Sequence, residues 1–376
     1  MSQTGTSLSA SADGMAGARR YLSENAERVN RVLIEFWSRK RADWAGFPDI
    51  IGSAFETYDQ MTRSGKKIRA GLVLLGYDVC RASRTAGPSI EDGVHRAAAA
   101  VEILHNAFLI HDDIIDHSDL RRSMATVHRR YADANRARFA TEEEALAYGR
   151  AVALNFGDKG QALAQELLLS SKFPSPVMLQ AIALLSRVTA DTVAGQLLDV
   201  VDVPLARLTE GVVLQIHRFK TAHYTVMLPL QMGAILAEAP AEVFPAIESF
   251  AIPVGIAFQV QDDILGLYGE EEVIGKPVGS DVREAKKTLL MVHAFAAAAQ
   301  DERAFLEAMH GNETITLAEL ERVRGIVRQT GALERSEAFA RDLVQRGKTH
   351  IPGICRDPRW QAILEGLADH LIQRRN

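Results

Sequence analysis

The sequence predicts an all-α protein, and three observations lead to that prediction. Apolar residues recur at three- and four-residue spacing along most of the chain, which is the period of an amphipathic helix. One such stripe consists of Val94, Ala97, Val101, Leu104 and Phe108. No stretch alternates between apolar and polar residues over the length of a strand. Clusters of Gly, Pro and Ser interrupt the pattern at intervals that suit helices of about 15 to 25 residues.

The composition is that of an ordinary globular chain. Of the 376 residues, 47% are hydrophobic and 24% are charged, and the formal net charge is −5. A protein that mainly binds nucleic acid is expected to be basic, so we predict no nucleic-acid partner. Because no abrupt change in composition marks a linker, we predict a flexible tail over residues 1–18 and one large domain over residues 19–376.

Three features predict a cytoplasmic protein. The two cysteines, Cys80 and Cys355, lie far apart, which indicates neither a disulfide framework nor a cysteine metal site. The N-terminus lacks the charged-then-apolar order of a signal peptide. The longest uncharged stretch, Thr221–Ala237, contains His223 and Pro229 and falls short of the roughly 18 to 20 apolar residues that a membrane span needs. We therefore predict no integral membrane association.

Two clusters of aspartate interrupt helical segments that are otherwise apolar. The first cluster is Asp112, Asp113 and Asp116, and the second is Asp262 and Asp263. Because Asp112 and Asp116 are four residues apart, both carboxylates lie on one face of a helix, roughly 6 Å apart. Carboxylates crowded on an apolar face repel each other and lose hydration, which raises a pKa or recruits a cation.

The residue types in these clusters indicate which cation is recruited. No cluster of His or Cys lies nearby, and hard oxygen ligands favour Mg²⁺ over Zn²⁺. Mg²⁺ is held by few protein carboxylates and keeps positions for water and for substrate phosphates. Two facing clusters therefore predict a clamp for a polyphosphate rather than a structural ion site. The alternative for either cluster alone is the solvated end of a helix.

Cationic residues follow in places that suit an anionic ligand. Lys66 and Arg69 are three residues apart and share a helix face, and Arg121 and Arg122 follow the first aspartate cluster within two turns. The remaining candidates are Lys220, Lys276, Lys286 and Lys287. Lys276 lies in a Gly-rich loop, where the backbone can approach a phosphate closely. Taken singly, each of these residues is more simply explained as a solvated surface residue.

Six short motifs follow one another between about Ser64 and Leu290. They are DDIID at Asp112–Asp116, DLRRSMATVH at Asp119–His128, GQLLD at Gly195–Asp199, KTA at Lys220–Ala222, FQVQDDILG at Phe258–Gly266 and GKPVGSDVREAKKT at Gly275–Thr288. In these motifs and in their order the sequence resembles the trans-isoprenyl diphosphate synthases, the polyprenyl synthetase family. A single motif would be a weak signal, whereas six in succession are specific.

Four positions depart from the pattern of that family. Ser64 and Ala70 stand where the family usually has Gly and Pro, and Ser123 replaces the Gly after the paired arginines. Gly266 occupies the last aspartate position of the second motif. This last departure puts the role of a third carboxylate at the second cluster in doubt.

The resemblance implies a single-domain helical bundle around a central apolar cavity, the isoprenoid synthase type I fold. It implies a Mg²⁺-dependent prenyltransferase that joins an allylic diphosphate head-to-tail to isopentenyl diphosphate and releases diphosphate. It also implies three Mg²⁺ ions per active site and a homodimer. Metal ions and cationic side chains suit this reaction because cleavage of the allylic C–O bond places charge on the leaving diphosphate.

The resemblance also implies a role for each candidate residue. Asp112, Asp116 and Asp262 would bind Mg²⁺, with Asp113 and Asp263 in support. The residues that would hold the allylic diphosphate are Arg121, Lys220 and Lys276, with Thr221 and Gln259 near its reacting end. Those that would hold isopentenyl diphosphate are Lys66, Arg69, His105 and Arg122. Lys286 is a further candidate for substrate binding. Outside this context, His105 is more simply a hydrogen-bonded core histidine.

The residues before the first cluster bear on product length. Phe108 is four residues before Asp112 and therefore lies about 5.4 Å, one helical turn, below it on the same face, close to the span of one isoprene unit. Its neighbour Ala107 is small. In the family, a single aromatic at these two positions resembles makers of C20 products, so we predict geranylgeranyl diphosphate, with farnesyl diphosphate as the alternative. The competing interpretation is that Phe108 serves only core packing.

Three other functions compete with this prediction. A class I terpene cyclase also uses an aspartate-rich helix, but it needs no second diphosphate and therefore no cations such as Lys66, Arg69 and His105. A head-to-head condensing enzyme is a more distant possibility. A non-catalytic partner subunit of a prenyl synthase is expected to have lost an aspartate cluster, whereas both clusters are present here.

Overall fold

A computed structural model of the protein describes residues 3–82, 91–269 and 279–373. Within these ranges helices make up most of the chain, so the all-α prediction is confirmed. The described strands form one short antiparallel hairpin, in which Leu120 pairs with Ala125 and Arg121 pairs with Met124.

The elements follow one another in simple order. The helices are α1 (Gln3–Asp43), α2 (Asp49–Arg63), α3 (Ile68–Ala82), α4 (Glu91–Ile115), α5 (Val127–Ala134), α6 (Glu142–Leu169), α7 (Ser175–Val200), α8 (Glu210–Ile216), α9 (Leu228–Leu236), α10 (Val243–Tyr268), α11 (Ser280–Arg283), α12 (Leu289–Ala297), α13 (Gln300–Met309), α14 (Leu317–Gln329), α15 (Ala332–Lys348), α16 (Ile351–Ile354) and α17 (Pro358–Ile372). Strands β1 (Leu120–Arg121) and β2 (Met124–Ala125) lie between α4 and α5, and 3₁₀ turns occur at Arg136–Arg138 and Leu205–Arg207. A π-helix, His217–Met227, joins α8 to α9 and is called the π segment below.

Internal contacts group the described chain into two compact units. The N-terminal unit comprises residues 20–182 and 235–238, and the C-terminal unit comprises residues 3–19, 183–234 and 239–373. The first aspartate cluster lies in the N-terminal unit and the second in the C-terminal unit. The division into a tail and one domain stays a prediction, although α1 begins at Gln3, inside the predicted tail, and Ala18 is buried. A cavity shared by the two clusters also stays a prediction.

Several helices begin where the sequence supplies an N-cap. Thr141 and Glu144 form a capping box at the start of α6, and Thr316 and Glu319 form another at the start of α14. In each box the threonine side chain accepts from the backbone N–H of the glutamate, whose carboxylate accepts from the backbone N–H of the threonine. Residue choice at these positions therefore fixes where the helices begin.

In the N-terminal unit, α4 carries the first aspartate cluster and packs along α6. Two glycines of α6, three residues apart, allow the close approach of the two helices. A Cβ at Gly157 would lie 2.0 Å from Nε2 of His111, and one at Gly160 would lie 2.9 Å from Cβ of Ala107 and 2.1 Å from the hydroxyl of Tyr58. The close packing of α4 on α6 therefore depends on the absence of a side chain at Gly157 and at Gly160.

In the C-terminal unit, α10 packs against the π segment and against α15, α16 and α17. Phe250 and Val254 of this helix are fully buried. A Cβ at Gly255 would lie 2.6 Å from Cα of Ala222, so the missing side chain lets the π segment approach the backbone of α10. This contact places the second aspartate cluster, near the end of α10, beside the KTA motif.

Two helices, α7 and α10, are long and apolar enough to cross a membrane by length and composition alone. Within the apolar windows of these helices, 39% and 50% of the residues respectively are buried inside the protein. The core helix of a soluble protein has the same length and composition, so this indication is weak. The predicted lack of integral membrane association stays a prediction.

We expect Gly160→Ala to lower the free energy of unfolding by about 1–3 kcal/mol, because an added methyl group must displace Tyr58 or separate α4 from α6. Gly52→Ala in α2 is the matched control, since nothing lies within 4 Å of a Cβ there. The control is expected to raise stability by about 0.5–1 kcal/mol through helix propensity. Denaturant titration measures both, and a Gly160→Ala protein as stable as the wild type would contradict the close packing.

Candidate active site

The first aspartate cluster lies at the C-terminal end of α4, and its carboxylates differ in how far they are buried. The side chain of Asp113 is 2% exposed, whereas that of Asp112 is 23% exposed. The backbone N–H of Asp116 donates to the carbonyl of Asp112 over 2.8 Å, so Asp116 continues the helical face of Asp112. Asp112 and Asp116 are both half-buried and are called the accessible pair below, although Oδ2 of Asp116 is enclosed, whereas Asp113 is buried.

Arg121 binds two of these carboxylates. Its Nε donates to Oδ1 of Asp113 over 2.6 Å, and its Nη2 donates to Oδ2 of Asp112 over 3.3 Å. Burial alone would lower the pKa of Arg121, but the charges of Asp113 and Asp112 outweigh burial and raise it. Arg121 is therefore held as a fixed cation beside the accessible pair.

A tight hairpin turns the chain back so that Arg121 can reach α4. Arg122 and Ser123 connect β1 to β2 with φ angles of +52° and +61°. Two consecutive left-handed residues form the two-residue turn that matches the twist of the flanking strands. The Gly that the family has at position 123 adopts this conformation without strain, and Ser123 adopts it here.

A second group of cations lies around the loop before α3. Gly65 and Lys67 both have positive φ, +86° and +50°, which makes the loop tight. Nη1 of Arg122 donates to Oγ of Ser64 over 2.8 Å, and a Cβ on Gly65 would lie 2.8 Å from the same nitrogen. Lys66 is exposed at the tip of this loop. The structure thus brings the predicted residue Arg122 to the loop that carries Lys66.

Arg69 and His105 are in direct contact, as their predicted common role requires. Nη1 of Arg69 lies 3.1 Å from Nε2 of His105. Burial, followed by the charge of Arg69, lowers the pKa of His105 well below its usual value, so the imidazole is neutral at pH 7. Because Arg69 can only donate, Nε2 accepts and the proton of the ring resides on Nδ1.

Glu102 is a charged residue of this region that sequence reasoning missed. It is 4% exposed, and its Oε1 accepts from the backbone N–H of Ala70 in the first turn of α3 over 3.1 Å. Burial lowers the pKa of both Lys67 and Arg122, and the charge of Glu102 acts in the opposite direction on each. Glu102 therefore balances the cations around the loop. The sequence could have indicated this role, because Glu102 lies three residues before His105 on the same face of the helix.

The two candidates for chain-length control occupy different environments. Ala107 is fully buried and faces Gly160 of α6, whereas Phe108 is half-buried. Consecutive residues of an α-helix point roughly 100° apart. A larger residue at position 107 would therefore press on α6 rather than extend the face that carries Phe108 and Asp112.

In the second aspartate cluster, as in the first, one aspartate is more exposed than its neighbour. Asp262 is half-buried, whereas Asp263 is only 6% exposed. Nε2 of Gln259 donates to Oδ1 of Asp263 over 2.8 Å, and Oγ1 of Thr221 donates to Oε1 of Gln259 over 2.7 Å. Nε2 of His217 lies 3.1 Å from Oδ2 of Asp263. One aspartate is again accessible, and its neighbour is fixed by protein groups.

Lys220, in the π segment, pairs with the aspartate of the GQLLD motif. Its Nζ lies 2.7 Å from Oδ2 of Asp199, and Nζ of Lys287 donates to the carbonyl oxygen of the same residue. A Cβ at Gly195 would lie 2.3 Å from the backbone nitrogen of Lys220, which shows why this motif contains a glycine. Asp199 belongs to the GQLLD motif but was not predicted as a site residue. Its position one helical turn after Gly195 could have indicated that it lies close to Lys220.

The space beside Gly266 is occupied by another carboxylate. A Cβ at Gly266 would lie 1.8 Å from Oδ2 of Asp281. Lys286, a predicted substrate-binding residue, lies 3.2 Å from Oδ1 of Asp281 and 3.2 Å from Oε2 of Glu284. Burial raises the pKa of Asp281, and Lys286 opposes that effect. Sequence reasoning missed Asp281 because nothing in the spacing shows that α11 lies against α10.

The remaining predicted residue, Lys276, lies outside the described residues. In the described parts of the chain, no group of three or more His, Cys, Asp or Glu side chains could hold a metal ion by itself. The accessible donors are instead the carboxylates of Asp112 and Asp116 in one unit and of Asp262 in the other. The carboxylates of either cluster suit a hard divalent cation that completes its coordination with water and phosphate oxygens.

The model of the polyprenyl synthetase family matches residues 53–327. This range is well over half of the chain and contains both aspartate clusters, the π segment and the loop before α3. The chain therefore belongs to the polyprenyl synthetase family.

Relatives with known names agree with that membership. The geranylgeranyl diphosphate synthase of Methanosarcina mazei is 30% identical over 310 residues, which cover 82% of this chain and 86% of that protein. The (2E,6E)-farnesyl diphosphate synthase of Mycobacterium bovis is 31% identical over 313 residues, which cover 82% of this chain and 80% of that protein.

A solved structure agrees with the fold. The crystal structure of geranylgeranyl pyrophosphate synthase from Corynebacterium glutamicum, complexed with isoprenyl diphosphate and magnesium, matches with a TM-score of 0.88 at 28% identity, covering 94% of this chain and 99% of that chain. The predicted isoprenoid synthase fold is confirmed. The protein is a prenyltransferase that acts on isoprenoid diphosphates, in a family that depends on divalent metal.

We expect Gly266→Asp to impair the second cluster rather than complete it. The new side chain needs the space of the Asp281 carboxylate and adds a like charge beside it, so unfolding free energy is expected to fall by about 1–3 kcal/mol and metal affinity not to rise. Thermal unfolding and Mn²⁺ titration measure the two effects. Gly325→Ala is the control, since nothing lies within 4 Å of a Cβ there. A Gly266→Asp protein of wild-type stability would contradict the contact with Asp281.

Proposed function

We propose that the protein condenses isopentenyl diphosphate head-to-tail with an allylic diphosphate and releases geranylgeranyl diphosphate as its main product. The observation that carries the proposal is the paired construction of the two aspartate clusters. In each, one aspartate is buried and held by a fixed partner, which leaves its neighbour accessible to a cation. The geranylgeranyl diphosphate synthases among its relatives support the C20 product.

The metal that we propose is Mg²⁺, three ions per site, held by Asp112 and Asp116 on one side and Asp262 on the other. When bound, these ions would neutralise charge on the departing diphosphate. Asp113 and Asp263 act in support, since each is engaged by Arg121 or by Gln259 and leaves ligation to its neighbour.

Cationic side chains complete the proposed site for the allylic diphosphate. Asp113 holds the guanidinium group of Arg121, and Asp199 holds the ammonium group of Lys220. Both cations are therefore in position before the substrate binds. Lys276 is proposed as a third cation. Preorganised charges of this kind stabilise the leaving group without reorganisation at the moment of bond cleavage. Thr221 and Gln259 would lie near the reacting carbon.

Isopentenyl diphosphate binds without metal in our proposal and therefore needs its own cations. Lys66 and Arg122 meet at the loop before α3, and Arg69 reaches His105. His105 is neutral because of burial and neighbouring charge, so it would donate from Nδ1 as a hydrogen-bond partner rather than add charge. We assign the final proton to the departing diphosphate, since no described residue is an obvious general base.

We propose further that the protein is a cytoplasmic homodimer with no nucleic-acid partner and no integral membrane association. The net charge of −5 and the family resemblance support these assignments. Cys80 and Cys355 are both buried and neither forms a disulfide within the described residues, which suits a reducing compartment. Light scattering of the purified protein tests the dimer.

Purified protein, Mg²⁺, isopentenyl diphosphate and each of the C5, C10 and C15 allylic diphosphates test the reaction, with product sizing by chromatography. We expect turnover that is lost on chelation and a C20 main product. A C15 main product would favour the alternative, a farnesyl diphosphate synthase. Turnover only after addition of another chain would favour the alternative of a non-catalytic partner subunit, and no turnover at all would contradict the proposal.

We expect Asp112→Asn to lower kcat by about 100-fold or more, because it removes an accessible carboxylate that binds metal. Glu143→Gln, at an exposed position in the first turn of α6, is the matched control and is expected to leave kcat unchanged. Steady-state kinetics at saturating Mg²⁺ measures both. An Asp112→Asn enzyme with wild-type kcat would remove this residue from the metal site.

We expect Phe108→Ala to lengthen the main product by one or more isoprene units, since one unit spans about one helical turn, 5.4 Å. Ala107→Leu is a comparison from the adjacent position, where the added volume presses on Gly160 and is expected to lower stability more than it changes product length. An unchanged product distribution for Phe108→Ala would show that this ring serves only packing.

A further inference from the structure

Polar side chains cross-link the π segment to α10 in a contact that is otherwise apolar. His217 and Thr221 are four residues apart on the π segment, and Gln259 and Asp263 are four residues apart on α10. The contacts run from Thr221 to Gln259 over 2.7 Å, from Gln259 to Asp263 over 2.8 Å, and from Asp263 to His217 over 3.1 Å. The four side chains thus form one chain of contacts between the two helices.

Three of these four side chains are buried, and Gln259 is half-buried. His217 is 3% exposed and Asp263 is 6% exposed. One turn before Gln259, the missing side chain of Gly255 lets Cα of Ala222 approach to 2.6 Å from where a Cβ would be. Polar groups in such a contact must satisfy one another, because an unpaired buried carboxylate is strongly unfavourable.

The two oxygens of Asp263 have different partners. Oδ1 accepts from Gln259, whereas Oδ2 faces Nε2 of His217. The 3.1 Å approach is an ion-pair distance, and Oδ2 of Asp263 has no hydrogen-bond partner among the described residues, so the imidazole is its nearest polar neighbour and would donate to it from a protonated Nε2. Among the described residues, Nδ1 of His217 has no hydrogen-bond partner, so Nε2 carries the whole polar contribution of this ring.

We propose that His217 is a positioning residue of the active site. It fixes Asp263 through Nε2 and thereby holds the first turn of the π segment against α10, so that Lys220 and Thr221 face the second aspartate cluster. The inference rests on the proposed function in one respect, the assignment of Lys220 and Thr221 to the allylic diphosphate.

The π-helical conformation gives this contact its importance. A π-helix is rare and persists where tertiary contacts favour it over an α-helix. His217 is the first residue of the segment, and Lys220 follows three residues later. Without the contact to Asp263, the segment can rewind toward α-helical geometry, which would shift Lys220 and leave Oδ2 of Asp263 without its nearest polar neighbour.

Two amide variants separate positioning from simple packing. The amide nitrogen of Gln reaches the place of Nε2, whereas that of Asn reaches only the place of Nδ1. We expect His217→Asn to raise the KM of the allylic diphosphate about 10- to 100-fold, the usual effect of losing a group that orients a ligand-binding residue, and His217→Gln to stay within about threefold of the wild type. The KM of isopentenyl diphosphate is expected to stay within about threefold in both variants.

The same unit contains a matched control. His293 is 4% exposed, and its Nε2 lies 3.2 Å from Oε2 of Glu210, so it is also a buried histidine beside a carboxylate. His293→Asn and His293→Gln report the general effect of such a substitution on stability. Both are expected to leave the two KM values unchanged.

A binding measurement supplies a readout that does not require turnover. Titration of Mn²⁺ in the presence of inorganic diphosphate, followed by electron paramagnetic resonance, is expected to show weaker binding for His217→Asn and wild-type binding for His217→Gln. Equal behaviour of the two variants, or equal losses in the His293 variants, would overturn the inference. A wild-type protein without turnover would contradict the proposed function instead, and the Mn²⁺ titration would then still decide the role of His217.

Discussion

Burial of a carboxylate without a partner is strongly unfavourable, and the arrangement of each aspartate cluster depends on this constraint. In each aspartate pair two consecutive carboxylates lie near the end of one helix, and one of the two is buried. Arg121 holds Asp113, and Gln259 with His217 holds Asp263. The inward aspartate thus fixes the rotation of its helix about its own axis. Of the two more exposed aspartates, Asp112 also accepts a hydrogen bond from Arg121, over 3.3 Å.

The same architecture requires backbones to approach one another closely at several places. Gly157 and Gly160 admit α4, Gly195 admits the backbone of Lys220, and Gly255 admits Ala222. In each case the residue that comes near belongs to, or directly adjoins, a segment that carries a candidate active-site group. These glycines therefore allow close helix packing, which positions the charged groups, rather than providing flexibility. Replacing them alters the site through helix placement and leaves the charged groups themselves unchanged.

The sequence predicted the fold class correctly, whereas the roles of the candidate site residues stay predictions, and the reasons are specific. Helical periodicity revealed the all-α class because most helices are half-buried and keep a clear apolar stripe. Local spacing found Asp112, Asp116 and Asp262, since carboxylates on apolar helices are conspicuous. Glu102 and Asp281 were missed because their roles depend on which helices pack together, and spacing within one helix does not encode that. The π segment was missed because its residues have ordinary helical propensities and tertiary contacts select the wider turn.

The cations near the loop before α3 lie close to one another, and like the carboxylates of the aspartate clusters they need a nearby group of opposite charge. Lys67 is buried and Arg122 is exposed, and partial desolvation together with the charges of Arg121 and Arg69 lowers the pKa of Arg122. A diphosphate would stabilise such a group, but the protein must also hold it together before the ligand binds. Glu102 supplies a permanent counter-charge that weakens the repulsion, and its bond to the N–H of Ala70 ties that charge to the start of α3. Neutral His105 adds a donor without adding to the repulsion. If this region binds isopentenyl diphosphate as proposed, the substrate would meet cations whose charges are already balanced in part.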